Sequence, residues 1–377
     1  MNAPRRVLIA PDKFKGTMSA KEAAQAIQRG LQRAWSDAQF TCIALADGGE
    51  GFTQCLVESK GGQLHPLQTL DALGRPCTAQ WGELDGSCAA FDISSASGLG
   101  ALTIGERNPL QASTFGSGLV LRELLARGYA RIFVGLGGSA TNDAGIGIAA
   151  ALGFSFLDAH GKAVELNGRG LASIVRIETP VSKPRASIVI ATDVTNPLYG
   201  AEGAAHQFAR QKGADDEAIA RLDRGLQHFA AIVAEHVGKD FSSHAGAGAA
   251  GGVGFGMLAL LGAEQRGGFD VLSDQLTLPA LIDTHDLIIT GEGAFDRTSL
   301  AGKAPMKLAE LAHRHGRQIW GVFGRCEIDE VHDYFDRHAT LESAVLPRSP
   351  QGHMDVLSRR VFELATRASD GKEKAPL

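Results

Sequence analysis

Along this chain, clusters of glycine and small polar residues recur directly after short β-branched runs, and that alternation constrains the fold more than any other feature. A run at 7–10 is followed by PDKFKG (11–16), one at 40–45 by ADGGEG (46–51), and one at 131–134 by GLGGSATND (135–143). Further runs at 187–191, 287–289 and 318–323 lead into TDVTNP (192–197), TGEG (290–293) and GR (324–325). Amphipathic segments fill the intervals. Ser19 and Glu22 have the spacing of a capping box, which predicts a helix reaching about residue 35. Apolar strands alternating with helices predict an α/β protein with mostly parallel sheets, whose ligands gather at the C-terminal ends of the strands. The turn-rich stretches 73–88 and 156–184 predict a different, mixed sheet.

A length of 377 residues points to two domains, or to one large domain with an insertion. Apolar content of 44% and charged content of 21% exclude wholesale disorder, and a net charge of −5 argues against a nucleic-acid or acidic-membrane binder. Five widely spaced cysteines without a C-x-x-C pair fit reduced thiols in a cytoplasmic protein. The first apolar run stops at Ala10, before Pro11, Asp12 and Lys13, so it does not make a signal peptide. Residues 245–263 carry no charge, yet seven of them are glycine, so they read as a buried loop entering a helix rather than as a membrane span.

The segment 135–143 is the sharpest chemical signal. Its small residues, Gly137 and Gly138 among them, let several backbone N–H groups converge on an anion, and Ser139, Thr141 and Asn142 add side-chain donors. The plainer alternative is a tight turn in which glycine permits close packing. No G-x-x-x-x-G-K-[ST] loop occurs in the chain. GAGAAG (246–251), with Gly248 and Gly251, matches G-x-G-x-x-G, but the residues before it read as helix rather than strand. It is a second anion cradle, or a hinge beside one. Lys13 and Lys15 alternate along an extended loop and so face one way, suited to a phosphate or carboxylate, or simply to solvent. Asp47, Glu50, Asp193, Asn196, Glu292 and Asp296 each fall just past a predicted strand. Phosphoryl transfer needs such groups to hold Mg²⁺ and to take up a hydroxyl proton, although any one of them alone reads equally as a helix N-cap. No H-E-x-x-H or G-x-S-x-G motif supports metalloprotease or serine-hydrolase chemistry.

Taken together, these segments resemble the bacterial glycerate kinases of the glycerate 2-kinase group (type I). APDKFKGTMSAKEAA (10–24), ADGGEGF (46–52), GLGGSATNDAGIGIAAALG (135–153), ATDVTNPLYGAEGAA (191–205), GAGAAGGVGFG (246–256) and ITGEGAFDRTSLAGKAP (289–305) run in family order. The chain departs from the family pattern at Ala294, at Asp296 to Ser299, and at FARQK (208–212). The resemblance implies a flavodoxin-like domain (1–78 and 285–377) interrupted by an inserted α/β domain (79–284) similar to the restriction-endonuclease fold. It implies an ATP- and Mg²⁺-dependent kinase of D-glycerate, with Asp193 as the base. Lys15, with Lys13 or Lys303, would offset anionic charge. Asp47, Gly48, Gly49, Asn196 and the two glycine patches would contact nucleotide or substrate, and Glu292 and Asp296 would hold the metal. 2-Phosphoglycerate is the expected product. 3-Phosphoglycerate, another small hydroxy acid and, more remotely, a nicotinamide- or flavin-dependent oxidoreductase stay open at this level.

Overall fold

The computed structural model describes residues 3–14, 16–46, 48–181, 185–300, 302–341 and 349–369; Lys15 and Asp47 lie outside them. Thirteen strands are found among the described residues: β1 (Arg6–Ile9), β2 (Gln39–Cys42), β3 (Gln63–Leu70), β4 (Pro76–Asp85), β5 (Cys88–Asp92), β6 (Arg131–Gly135), β7 (Ser155–Leu157), β8 (Arg176–Glu178), β9 (Ser187–Ala191), β10 (Glu264–Arg266), β11 (Leu287–Phe295), β12 (Gln318–Cys326) and β13 (Arg337–Thr340). The chain divides into two compact units, 1–47 with 269–377, and 48–268. The sequence boundaries at 78/79 and 284/285 fall inside these units. β3 pairs along its whole length with β4, from Gln63↔Glu83 to Leu70↔Pro76, which ties residues before 78 to the second unit.

The first unit is built on a five-stranded, all-parallel sheet in the order β13-β12-β11-β1-β2. Parallel neighbours require crossover helices. The first of these, Ala20–Ala34, begins as the sequence predicts: Ser19 Oγ accepts from the Glu22 amide at 3.2 Å, and the Glu22 carboxylate accepts from the Ser19 amide at 2.8 Å. Ala23, Ile27 and Leu31 repeat every four residues and are fully buried, so one stripe of this helix enters the core. The helix Pro350–Ser369 supplies Leu357, Val361 and Leu364 to the same cluster.

Strand ends differ here from those expected: β2 stops at Cys42, and β12 runs on to Cys326, taking Gly324 and Arg325 into the strand. The strand predicted at 287–289 does not end before TGEG; β11 runs on to Phe295, so Glu292 lies within the strand rather than in a loop past it. Its ladder with β12 continues to Phe295↔Cys326, and the Phe295 ring stacks on Phe323 at 4.6 Å, which anchors the extension.

The second unit carries a mixed six-stranded sheet, β10-β9-β6-β5-β4-β3. β3, β4 and β5 are antiparallel to their neighbours in that run, whereas β5-β6, β6-β9 and β9-β10 are parallel. β7 and β8 form a separate antiparallel pair. The alternation at 73–88 therefore marks the antiparallel half of the sheet, as its turn-rich composition predicts. Val120, Leu121 and Leu124 of the helix Phe115–Ala126 pack with Phe91, Ile132, Val134 and Ile190 from the strands.

Ser19→Ala removes one arm of the capping box and should lower the stability of the first unit by about 1 kcal/mol. A shift in denaturant midpoint checks this, and an unchanged midpoint would mean that the helix does not need the cap.

Candidate functional site

In the second unit, strand register brings several of the sequence's candidates together. Gly135 pairs with Asp92 on one side and Ala191 on the other, so β5, β6 and β9 end side by side. The Leu136 amide still reaches the Ala191 carbonyl at 3.3 Å, after which the chain turns into the glycine loop. The Gly137 amide donates to the Gly48 carbonyl at 3.2 Å, and a side chain at Gly137 would lie 2.3 Å from the Gly49 Cα. Gly48 and Gly49 thus meet Gly137 because neither backbone has a side chain in the way. Asp92, at the end of β5, accepts from the amides of Gly51 (3.0 Å) and Thr53 (3.1 Å) and caps the helix Phe52–Lys60. Its role was not read from the sequence. Asp193 lies half-buried two residues beyond β9.

The second glycine patch backs onto the first. The Gly248 amide donates to the Asn196 carbonyl at 2.9 Å, and a Cβ there would sit 2.3 Å from the Pro197 carbonyl oxygen. Asn196 Nδ2 donates to the Glu202 carbonyl at 2.8 Å. Ala250, Gly251 and Gly252 are all left-handed, with φ of 56°, 71° and 88°. That turn lets the Gly251 carbonyl accept from the Ala144 amide at 3.1 Å, and Ala144 itself has φ of 50°. Two alanines in this region are strained, and such strain is kept where surrounding structure demands it. Gly248 and Gly251 therefore shape the site by close packing, with the Gly248 amide already used inside the protein.

Below the loop lies a dense layer of buried polarity. Thr141, Asn142 and Asp143 are fully buried. Thr141 Oγ1 and both side-chain polar atoms of Asn142 have no hydrogen-bond partner among the described residues. Each such group costs about 1–3 kcal/mol if nothing meets it. Asp143 accepts from the Thr114 amide (2.7 Å), its hydroxyl (2.8 Å) and the Gly145 amide (3.1 Å), yet burial still pushes its pKa up. Lys212 completes the layer. Its Nζ donates to Ser139 Oγ at 3.0 Å and to the Thr141 carbonyl at 2.6 Å. Burial pulls its pKa down to about 7, opposed only by the charge of Asp143. The sequence reading met this residue only as part of the variant FARQK segment.

The first unit holds a separate acid–ammonium cluster. Lys303 Nζ lies 3.4 Å from Glu292 Oε2, 3.7 Å from Asp296 Oδ1 and 3.3 Å from Ser299 Oγ. Burial raises the Glu292 pKa, whereas hydrogen bonds led by the Thr298 hydroxyl lower that of Asp296. At the end of β1, buried Asp12 donates its amide to the Gly291 carbonyl at 2.8 Å, and the Lys13 amide donates to Asp12 Oδ1 at 2.6 Å. No group of three metal-ligating side chains converges among the described residues. Mg²⁺ needs fewer, since it takes one or two carboxylates and fills its other positions with water and phosphate oxygens. Glu292 Oε1, buried without a hydrogen-bond partner among the described residues, is a carboxylate oxygen that fits this demand.

The Lys212 environment makes stability depend on pH. The unfolded chain keeps this amine protonated to about pH 10.4, whereas the folded protein releases the proton near pH 7. Between those values the unfolded state binds more protons, so stability rises with pH. The stability gained by Lys212→Met should be largest below pH 7 and shrink toward pH 10, as read from unfolding midpoints; a gap that ignores pH would contradict the burial effect.

Residues 7–368 match the model of the glycerate kinase family. A glycerate 2-kinase of Escherichia coli K12 is 36% identical over 87% of this chain and 88% of its own length. A glycerate kinase of Haemophilus influenzae is 38% identical over 87% and 89%. The crystal structure of a Salmonella typhimurium LT2 protein described as a glycerate kinase 2 superposes with a TM-score of 0.85 at 34% identity, covering 97% of this chain and 98% of that one. By family match, sequence identity and fold, this chain belongs to the glycerate kinase family, a family of phosphotransferases.

Proposed function

We propose that this chain transfers the terminal phosphoryl group of ATP to D-glycerate, releasing ADP and 2-phosphoglycerate. The observation that carries this reading is the junction of β6 and β9. A glycine loop able to surround an anion and an aspartate able to take a proton leave adjacent parallel strands, tied by the Leu136–Ala191 hydrogen bond. Asp193 accepts the proton of the attacking hydroxyl. Gly137, Gly138, Ser139, Thr141 and Asn142 form the phosphate-binding loop, with Gly48 and Gly49 packed against it and Asn196, Gly248 and Gly251 shaping its rear wall. Lys303, together with Lys13 and Lys15, offsets anionic charge.

Glu292, with Asp296, would hold Mg²⁺, whose contribution is to neutralise phosphate charge. Most of the rate acceleration then comes from positioning and electrostatics, because phosphoryl transfer asks little covalent chemistry of the protein. The name of the Escherichia coli relative, a glycerate 2-kinase, favours the 2-phosphate. Counted within the first unit, the strand order 2-1-3-4-5 is that of flavodoxin-like sheets, and we take the second unit as an insertion similar to the restriction-endonuclease fold. Five free cysteines suit a reducing cytoplasm. No helix among the described residues is long and apolar enough to cross a membrane.

Asp193→Asn should lower kcat by about 10²–10⁴-fold in a coupled ADP-release assay with D-glycerate, the range expected for loss of a general base. A loss smaller than about tenfold would remove Asp193 from that role. The ³¹P spectrum of the product reports the regiochemistry, and a 3-phosphate resonance would overturn that part of the reading.

A further inference from the structure

We infer that Lys212 is a positioning residue of this reaction: by donating to Ser139 Oγ and the Thr141 carbonyl, it turns the Ser139 hydroxyl into a hydrogen-bond donor aimed at the phosphate held by the loop. The inference rests on the reading of 137–142 as the phosphate-binding loop.

In its protonated form the Lys212 amine can donate and cannot accept. At 3.0 Å from Lys212 Nζ, Ser139 Oγ is therefore the acceptor of that bond, and its single O–H is left to donate elsewhere. The main chain on either side of Ser139 is already pinned. The Gly138 carbonyl accepts from the Leu99 amide at 2.8 Å, and the Ala140 amide donates to the Ser97 carbonyl at 2.9 Å. What remains adjustable at Ser139 is the side-chain rotamer and the hydroxyl direction, and Lys212 governs both.

Lys212 is itself held in place. Its amide donates to the Ala209 carbonyl at 3.0 Å, and the next amide, of Gly213, donates to the Arg210 carbonyl at 3.0 Å. The ammonium is committed to Ser139 and the Thr141 carbonyl, so its effect on phosphate passes through those two residues. Nor does it form an ion pair among the described residues that would explain its presence as a stabilising contact. Burial of this cation costs more than the nearby charge of Asp143 returns, and replacing such a group with an apolar chain of similar shape is commonly neutral or stabilising. A costly buried charge bonded to a glycine loop is what a functional constraint produces.

The test is Lys212→Met beside Ser139→Ala and the double variant, assayed for D-glycerate-dependent ADP release and for thermal midpoint. With Lys212→Met, kcat should fall about 10- to 100-fold, the cost of a misdirected contact at a reacting group, with a smaller change in KM. The midpoint should hold or rise. Ser139→Ala should reproduce the kinetic loss, and the double variant should be no worse than either single one. Retention of kcat within about threefold of the parent protein, or independent multiplying losses, overturns the inference. So does a variant that loses activity only in proportion to folded protein, or that fails to fold, since either makes Lys212 a purely structural residue. If the parent protein itself does not turn over D-glycerate, the functional reading falls; if it does and Lys212→Met matches it, the inference alone falls.

Discussion

The in-register parallel ladder joining β5, β6 and β9 is the constraint on which the second unit's chemistry depends. Because Gly135 is flanked by Asp92 and Ala191, three chain segments emerge from one edge at one level. Each then does something different: Asp92 caps a helix, 136–143 curls into the glycine loop, and 192–197 carries Asp193 and Asn196. A slip of one residue in β9 would send its alternate side chains to the opposite face and shift Asp193 along the edge. Burial of Ile188 and Ile190 against Val134 and Phe91 opposes such a slip, so the hydrophobic core fixes where the polar residues stand.

Glycine serves that edge in a particular way. Loops tipped with side chains could not approach as Gly137 does Gly49, and the left-handed turn at 250–252 would strain most residues. Ala250 and Ala144 accept that strain without glycine's freedom, and the Ala144 amide bonds the carbonyl of Gly251, next to Ala250. The loop is therefore held from behind by backbone contacts. Thr141, Asn142 and Asp143 sit in the same layer, where polar groups away from water must be met by the protein or by a ligand.

Local signals were legible in the sequence and non-local ones were not. The β-branched run at 187–191 became β9 to the residue, and the Ser19–Glu22 spacing produced the predicted cap, because both depend on neighbours a few positions away. The extension of β11 to Phe295 depends on β12 and on aromatic stacking, neither visible in TGEG itself. β10, the short segment Glu264–Arg266, has no apolar run and exists because β9 offers it an edge. The approach of Gly48 and Gly49 to Gly137 joins segments far apart in the chain, and no local pattern announces it. Lys212 was invisible as a site residue for the same reason. It touches Ser139 from 73 positions away, and a lysine after a short turn otherwise reads as a solvated side chain.

Lys303 in the first unit and Lys212 in the second face opposite electrostatic situations. Lys303 is partly exposed and lies between Glu292 and Asp296, so its positive charge reduces the mutual repulsion of the carboxylates. Such a pair near solvent adds little to stability, and the flexible stem leaves the ammonium able to turn toward another anion. Lys212 has no such freedom. Its two hydrogen bonds end on the loop it supports, and the low dielectric that depresses its pKa also strengthens those bonds while the charge persists. Anionic phosphate held by the loop above would favour the protonated amine. On the proposed function, ligand binding and the polarity of Ser139 would be coupled through that one charge.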